Sequence, residues 1–196
     1  MKFYIINKTI IFRIIVTILI VLIVIGIYSY FSKTKDVFND QIYYQGSKDE
    51  KIIALTCNID WGNEYIDDML KIFDDNDIKI TFFPTGRWAE NNRDILLKIY
   101  GQGHEIGNHG YKHLDYDKLD YKGNFEQINV AHMIIEEIIQ DSPKYFAPPS
   151  GAFNKHTIQA AEDLGYETIL WSVDTIDWRD DSNKDLIVKR VILNGF

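Results

Sequence analysis

The chain of 196 residues has a single cysteine, no acidic side chain among its first 31 residues and no charge at all from Ile14 to Phe31. Each shortage excludes something. Cys57 alone can close no intrachain disulfide, so a domain outside the cell must be held by its core. With Ile53, Ala54 and Leu55 beside it, the thiol reads as a small buried residue. Neither an internal repeat nor a low-complexity tract is present, which excludes solenoids and fibrous arrays. No basic stripe is present either. Setting Lys2, Lys8 and Arg13 aside from the 21 basic side chains leaves 18 against 29 acidic ones, a balance of −11 for the rest of the chain. A surface that acidic repels phosphate backbones and excludes nucleic acid as a partner.

What is present begins with the apolar run. Eighteen uncharged residues from Ile14 to Phe31 would make roughly 27 Å of helix, close to the ~30 Å hydrocarbon core of a bilayer. Tyr28, Tyr30 and Phe31 stand where an interfacial aromatic belt would lie. A cleaved signal peptide is the alternative, but Tyr28-Ser29-Tyr30-Phe31 offers no small-residue cleavage site. Basic residues precede the span, so the positive-inside rule puts residues 1–13 in the cytoplasm, a single-pass signal anchor over 14–31, and everything later outside the cell. Residues 32–50 are polar and carry Gly46-Ser47, the composition of a stalk, and the domain proper is expected over 51–196.

Within that domain, apolar runs of strand length at Ile52–Cys57, Ile78–Phe83, His104–Ile106, Tyr145–Ala147 and Thr168–Trp171 alternate with helix-period segments. Those segments are Glu64–Phe73, Asn91–Tyr100, Phe125–Ile139, His156–Leu164 and Lys184–Leu193. Gly103 and Gly165 follow two of them where left-handed stops belong. Five alternations predict an α/β domain with parallel strands, and such folds place ligands at the carboxyl ends of the strands.

Unusual residues fall there. His109 and His113 form a His-x3-His pair whose spacing lets two imidazoles meet one metal; two ordinary hydrogen-bonded histidines would look the same. Asp60, after the first strand, could complete a two-His-one-carboxylate site or could cap the helix that follows. Pro148-Pro149 fixes an extended loop. Asp177-Trp178 pairs a carboxylate with a flat apolar face, as sugar grooves do, though a core Trp with a capping Asp fits as well.

Taken in order, Thr56–Gly62, Gly103-His104-Glu105-Ile106-Gly107-Asn108-His109 with His113, Ala147–Gly151, and Asp174-Thr175-Ile176-Asp177-Trp178 resemble the four motifs of the polysaccharide deacetylases, also called NodB-homology domains or carbohydrate esterase family four. The resemblance implies a distorted (β/α) barrel that removes acetyl groups from a glycan. A divalent metal, commonly zinc, would polarise the acetyl carbonyl and its bound water, with an Asp taking the water's proton and a late His protonating the leaving amine. Carried over, Asp60, His109 and His113 are the metal ligands, the Ser150 backbone N–H serves the oxyanion, Asp177 orients the late His, and Pro149 and Trp178 line the sugar groove.

The pattern also departs from the family. Its proton-accepting Asp falls on Asn58, Asp60 stands one position beyond the metal-binding Asp, and the third-motif Arg that pairs with the base is Ala147. The chain stops at Phe196, before the strand and Leu-x-x-His segment that supply the family's general acid, and so reads as a fragment. Three functions follow as expectations: a glycan N-deacetylase of the cell wall, a deacetylase-like module that binds surface glycan without turnover, or an anchored α/β domain for another ligand.

Overall fold

The structure is a computed structural model and describes residues 8–33, 42–47, 49 and 52–194. Contacts divide the chain into two compact units, one up to Asp40 and one from Gln41 onward. The described residues of the first unit form one helix, α1 (Lys8–Lys33), 26 residues long and without an amphipathic face. Its side chains from Ile14 to Ile25 are exposed. Among the described residues no helix is long and apolar enough to cross a membrane. The side chains of residues 27–31, which end the expected span and include its aromatic belt, lie outside the described ones, as does most of the expected stalk.

Among the described residues the second unit contains six parallel strands: β1 (Ile42–Tyr43), β2 (Thr56–Ile59), β3 (Thr81–Pro84), β4 (Glu105–Ile106), β5 (Tyr145–Phe146) and β6 (Glu167–Ile169). They pair as two three-stranded sheets, β2-β3-β4 and β1-β6-β5. A parallel bridge between Asn108 and Phe146 joins the two beyond the end of β4. Strand β1 lies inside the expected stalk and pairs with β6, Ile42 opposite Thr168, so the fold begins ahead of residue 51.

The helices are α2 (Ile66–Asp75), α3 (Gly86–Asn91), α4 (Arg93–Gly101), α5 (Tyr121–Ile139), α6 (Lys155–Asp163) and α7 (Lys184–Asn194). Five match the periodic segments of the sequence; α3, only six residues long, does not show in the periodicity. Local chemistry fixes their ends. Asn154 and Thr157 form a reciprocal capping box on α6, and the Asp120 carboxylate accepts from the Gly123 N–H at the start of α5. Gly103 and Gly165 sit at φ 81° and 80°, the left-handed stops expected of them.

Two apolar clusters hold these elements. Phe82, Leu70, Leu96, Ile99 and Ile135 pack between the β2-β3-β4 sheet and helices α2, α4 and α5. Tyr116, Ile128, Phe146, Ala160 and Tyr166 fill the space between β5, β6, α5 and α6. Both clusters leave the carboxyl ends of the strands free to carry polar residues.

Candidate active site

Strand alternation decides where the first motif points. Along β2 the Asn58 side chain is exposed, while Ile59 is 5% exposed and joins the core. The position that carries the metal-binding Asp in the family pattern is therefore an apolar core residue here. The carboxylate comes one residue later, on Asp60, past the strand end.

Asp60 does not cap α2, whose N-cap is Tyr65 with no side-chain hydrogen bond. It turns instead toward the end of β3. Its Oδ1 accepts from the Thr85 hydroxyl at 3.0 Å, and one Arg87 terminal nitrogen reaches Oδ1 and Oδ2 at 2.9 and 3.0 Å. Thr85 also caps α3 by accepting from the Trp88 N–H. The short helix that places Arg87 is thus tied to the same carboxylate.

The second motif forms the other wall. The His109 N–H donates to the Pro84 carbonyl at 3.1 Å, and the imidazole is 1% exposed. Its Nδ1 lies 2.7 Å from the Ala147 carbonyl, which can only accept, so Nδ1 carries the proton and Nε2 keeps its lone pair. His113, exposed, meets it edge to face with ring centroids 5.4 Å apart. Burial pushes the His109 pKa down to about 4 against the opposing hydrogen bond to Ala147; the neighbouring His113 lowers it further and the Asp60 charge raises it. His109 is therefore neutral at neutral pH.

This depression has a measurable sign. The unfolded chain binds a proton at His109 near pH 6.5 and the folded chain only near 4, so its contribution to stability is complete above about 6.5 and declines as pH falls toward 4. About 2 kcal/mol should be lost between pH 7 and pH 5, at about 1.4 kcal/mol per pKa unit. Urea midpoints at the two pH values check this, and His109→Gln should flatten the difference; an equal loss in the variant would assign it elsewhere. His104, whose pKa is also lowered by burial, adds in the same direction.

The remaining predicted residues lie on two later loops. Pro149 is buried in a 3₁₀ turn, Pro149–Gly151, in which Ser150 holds φ 56°, a left-handed conformation costly for a side-chain-bearing residue and common at functional sites. Asp177 accepts from the Thr175 hydroxyl at 2.6 Å, and its charge, after burial, helps push the Cys57 thiol up to about 12. Trp178 is 68% exposed. Two further exposed aromatics follow Asp60 in the chain, Trp61 and Tyr65. The loop between them is pinned where the buried Trp88 indole N–H donates to the Gly62 carbonyl at 2.6 Å.

The structure thus brings together the two imidazoles of the expected metal site. His109 has the tautomer a ligand needs, fixed by a backbone carbonyl as ligating imidazoles usually are. The third ligand does not join them: the Asp60 carboxylate is engaged by Arg87. Among the described residues no three His, Cys, Asp or Glu side chains stand together where they could hold an ion. As arranged, these residues do not fit a bound metal.

The sequence pattern of the family "Polysaccharide deacetylase" matches residues 45–169. The chain belongs to the polysaccharide deacetylase family. Protein YlxY of Bacillus subtilis (strain 168) is 44% identical over 136 residues, 69% of this chain and 43% of that protein. The peptidoglycan-N-acetylmuramic acid deacetylase PdaA of the same organism is 30% identical over 146 residues, 72% of this chain and 54% of the enzyme. Among solved structures, BA3943 of Bacillus anthracis, a pseudoenzyme of carbohydrate esterase family four, aligns with TM-score 0.76 and 35% identity over 78% of this chain and 54% of that one. A mutant of BA3943 with restored enzymatic activity aligns at TM-score 0.75. The chain spans about half the length of the curated relatives it matches. Within the family, the residues that sequence reasoning passed over are Thr85 and Arg87. They stand at the end of a strand, where α/β folds collect their chemistry.

Proposed function

We propose that this domain is a cell-wall glycan-binding member of the polysaccharide deacetylase family in which hydrolysis of the acetyl group is disabled. One observation carries the reading. Where the family sets a proton-accepting carboxylate, Asn58 presents an amide, and the carboxylate two residues on, Asp60, is spent on Thr85 and Arg87. An amide has no useful basicity, and loss of a general base costs ~10²–10⁴ in rate. The likeness to a pseudoenzyme supports this, and the likeness to a peptidoglycan deacetylase supports peptidoglycan as the glycan.

Binding would use what the site still offers. Trp61 and Trp178 expose flat apolar faces of the kind that stack on sugar rings. We place the six-strand arc within a distorted (β/α) barrel and take α1 as a membrane anchor, with the domain outside the cell. The 18 uncharged residues of 14–31 and the basic residues ahead of them support that placement.

A second reading is favoured by His109, which is neutral with a free Nε2 beside His113: a family hydrolase that cleaves the carbon–nitrogen bond of N-acetylated glycan slowly. One experiment separates the two. N-acetylglucosamine oligomers and muropeptides are titrated into the whole chain in detergent, and acetate release is followed in parallel. Saturable binding, weakened at least fivefold by Trp178→Ala and with no acetate above the uncatalysed rate, is expected. Acetate release that His109→Ala abolishes would establish the hydrolase instead. Absence of glycan binding would overturn both.

A further inference from the structure

We infer that Arg87 occupies, with its own positive charge, the place a divalent cation would take against Asp60, and that this guanidinium is what keeps the His109–His113 pair from closing a metal site.

Three contacts carry the inference. A single Arg87 terminal nitrogen lies within 3.0 Å of both Asp60 oxygens. It thereby covers the edge of the carboxylate through which a metal would be bound. The Asp60 side chain is 15% exposed against 48% for Arg87, so the anion is the inner member of the pair and the guanidinium reaches in from the rim. The backbone holds Arg87 in that position independently of the ion pair. The Gly86 N–H donates to the Gly110 carbonyl at 2.8 Å and the Arg87 N–H to the Tyr111 carbonyl at 3.1 Å, which ties the first turn of α3 to the loop between His109 and His113. Arg87 is thus held against the carboxylate while its backbone is bonded to the loop that carries the two imidazoles.

The electrostatics follow. A carboxylate can satisfy one strong cationic partner at this edge, and Asp60 already has one that cannot be deprotonated. A metal ion entering the site would have to displace the guanidinium and then remain beside it, two like charges in a partly desolvated pocket. His109 and His113 alone offer two neutral donors, too few for tight retention of zinc.

The test is a calorimetric titration of zinc chloride into the metal-free whole chain in detergent, comparing wild type with Arg87→Met, which keeps the stem and removes the charge. Arg87→Met should bind one zinc at least tenfold more tightly than wild type, with a matching zinc-dependent rise in melting temperature. Adding Asp60→Asn or His109→Ala to Arg87→Met should return the affinity to the wild-type level. If Arg87→Met does not fold, Arg87→Gln serves in its place with the same expectations. Equal affinities in wild type and the Arg87 variant, whether both tight or both absent, would overturn the inference. So would a gain that survives Asp60→Asn, since the new site would then lie elsewhere.

Discussion

Ala147→Arg is expected to destabilise the domain by about 3–5 kcal/mol on its own, and by distinctly less when combined with Asn58→Asp. Ala147 is 2% exposed, its N–H donates to the Asn108 carbonyl at 3.0 Å, and its carbonyl takes the His109 Nδ1–H. An arginine here would bring a guanidinium into a desolvated place with no anion assigned to it, because the position that holds its partner in the family pattern is neutral Asn58. Restoring that partner should recover about 1–3 kcal/mol as a coupling term. Urea unfolding of the four proteins of the double-mutant cycle measures it. A coupling below about 0.5 kcal/mol, within the error of additivity, would show that positions 58 and 147 do not face each other. The two departures from the family pattern are then one change: charge removed from both sides of a pair together, with no orphaned ion left behind. Turnover is a separate matter, since Arg87 still holds Asp60 in the double variant.

That pairwise loss was visible in the sequence, and so was most of the framework around it. The helices α2, α4, α5 and α6 declare themselves because each buries one face, which writes a 3.6-residue period into nine or more positions; α7 shows the period although its apolar residues are half-buried or exposed. The strands at Thr81–Pro84 and Tyr145–Phe146 are apolar runs bounded by turns and fall within or beside the expected segments. Strand β1 left no such mark. Two residues carry no period, and Ile42–Tyr43 becomes a strand only because β6 offers it an edge. The composition of a stalk and that of a short edge strand with its turn are the same.

The site was legible in its imidazoles and not in its ion pair. His109, His113 and Asp60 stand out as chemically committed residue types at strand ends. Arg87 does not, because an arginine in a polar loop is ordinary until something shows which carboxylate it faces. A signal was nonetheless present. The strand-end rule that directs attention to Asp60, His109, Ser150 and Asp177 applies equally to the strand ending at Pro84, and Thr85-Gly86-Arg87 follows it directly. What sequence could not supply is the direction of the Asp60 carboxylate. That direction is fixed by the pleat, which turns Ile59 into the core and leaves Asp60 past the last ladder position, opposite Thr85 rather than His109.

Gly110→Ala is expected to cost the domain about 3 kcal/mol or more, a large part of the 5–15 kcal/mol that holds a typical fold. Gly110 sits at φ 75°, and a Cβ there would come within 1.7 Å of the Tyr116 hydroxyl and 2.5 Å of its ring. Tyr116 cannot move aside cheaply: it is fully buried, with its ring against Phe146 at a centroid distance of 5.9 Å. Backbone groups fix the glycine too, its N–H donating to the Asn108 side chain at 2.7 Å and its carbonyl accepting from Gly86. Gly165→Ala is the control, because Gly165 shares the left-handed backbone at φ 80° but has nothing within 4 Å of the added carbon. It should lose only the conformational part, about 1 kcal/mol. The difference between the two variants in urea measures the clash alone, and Tyr116→Phe in the Gly110→Ala background should recover part of it. Equal costs for the two glycines would mean that the loop yields and the close approach is not a constraint. A cost confined to Gly110 would explain why a glycine follows His109: the tyrosine beneath the loop leaves no room for a side chain, and that fit sets where the His109 imidazole lies.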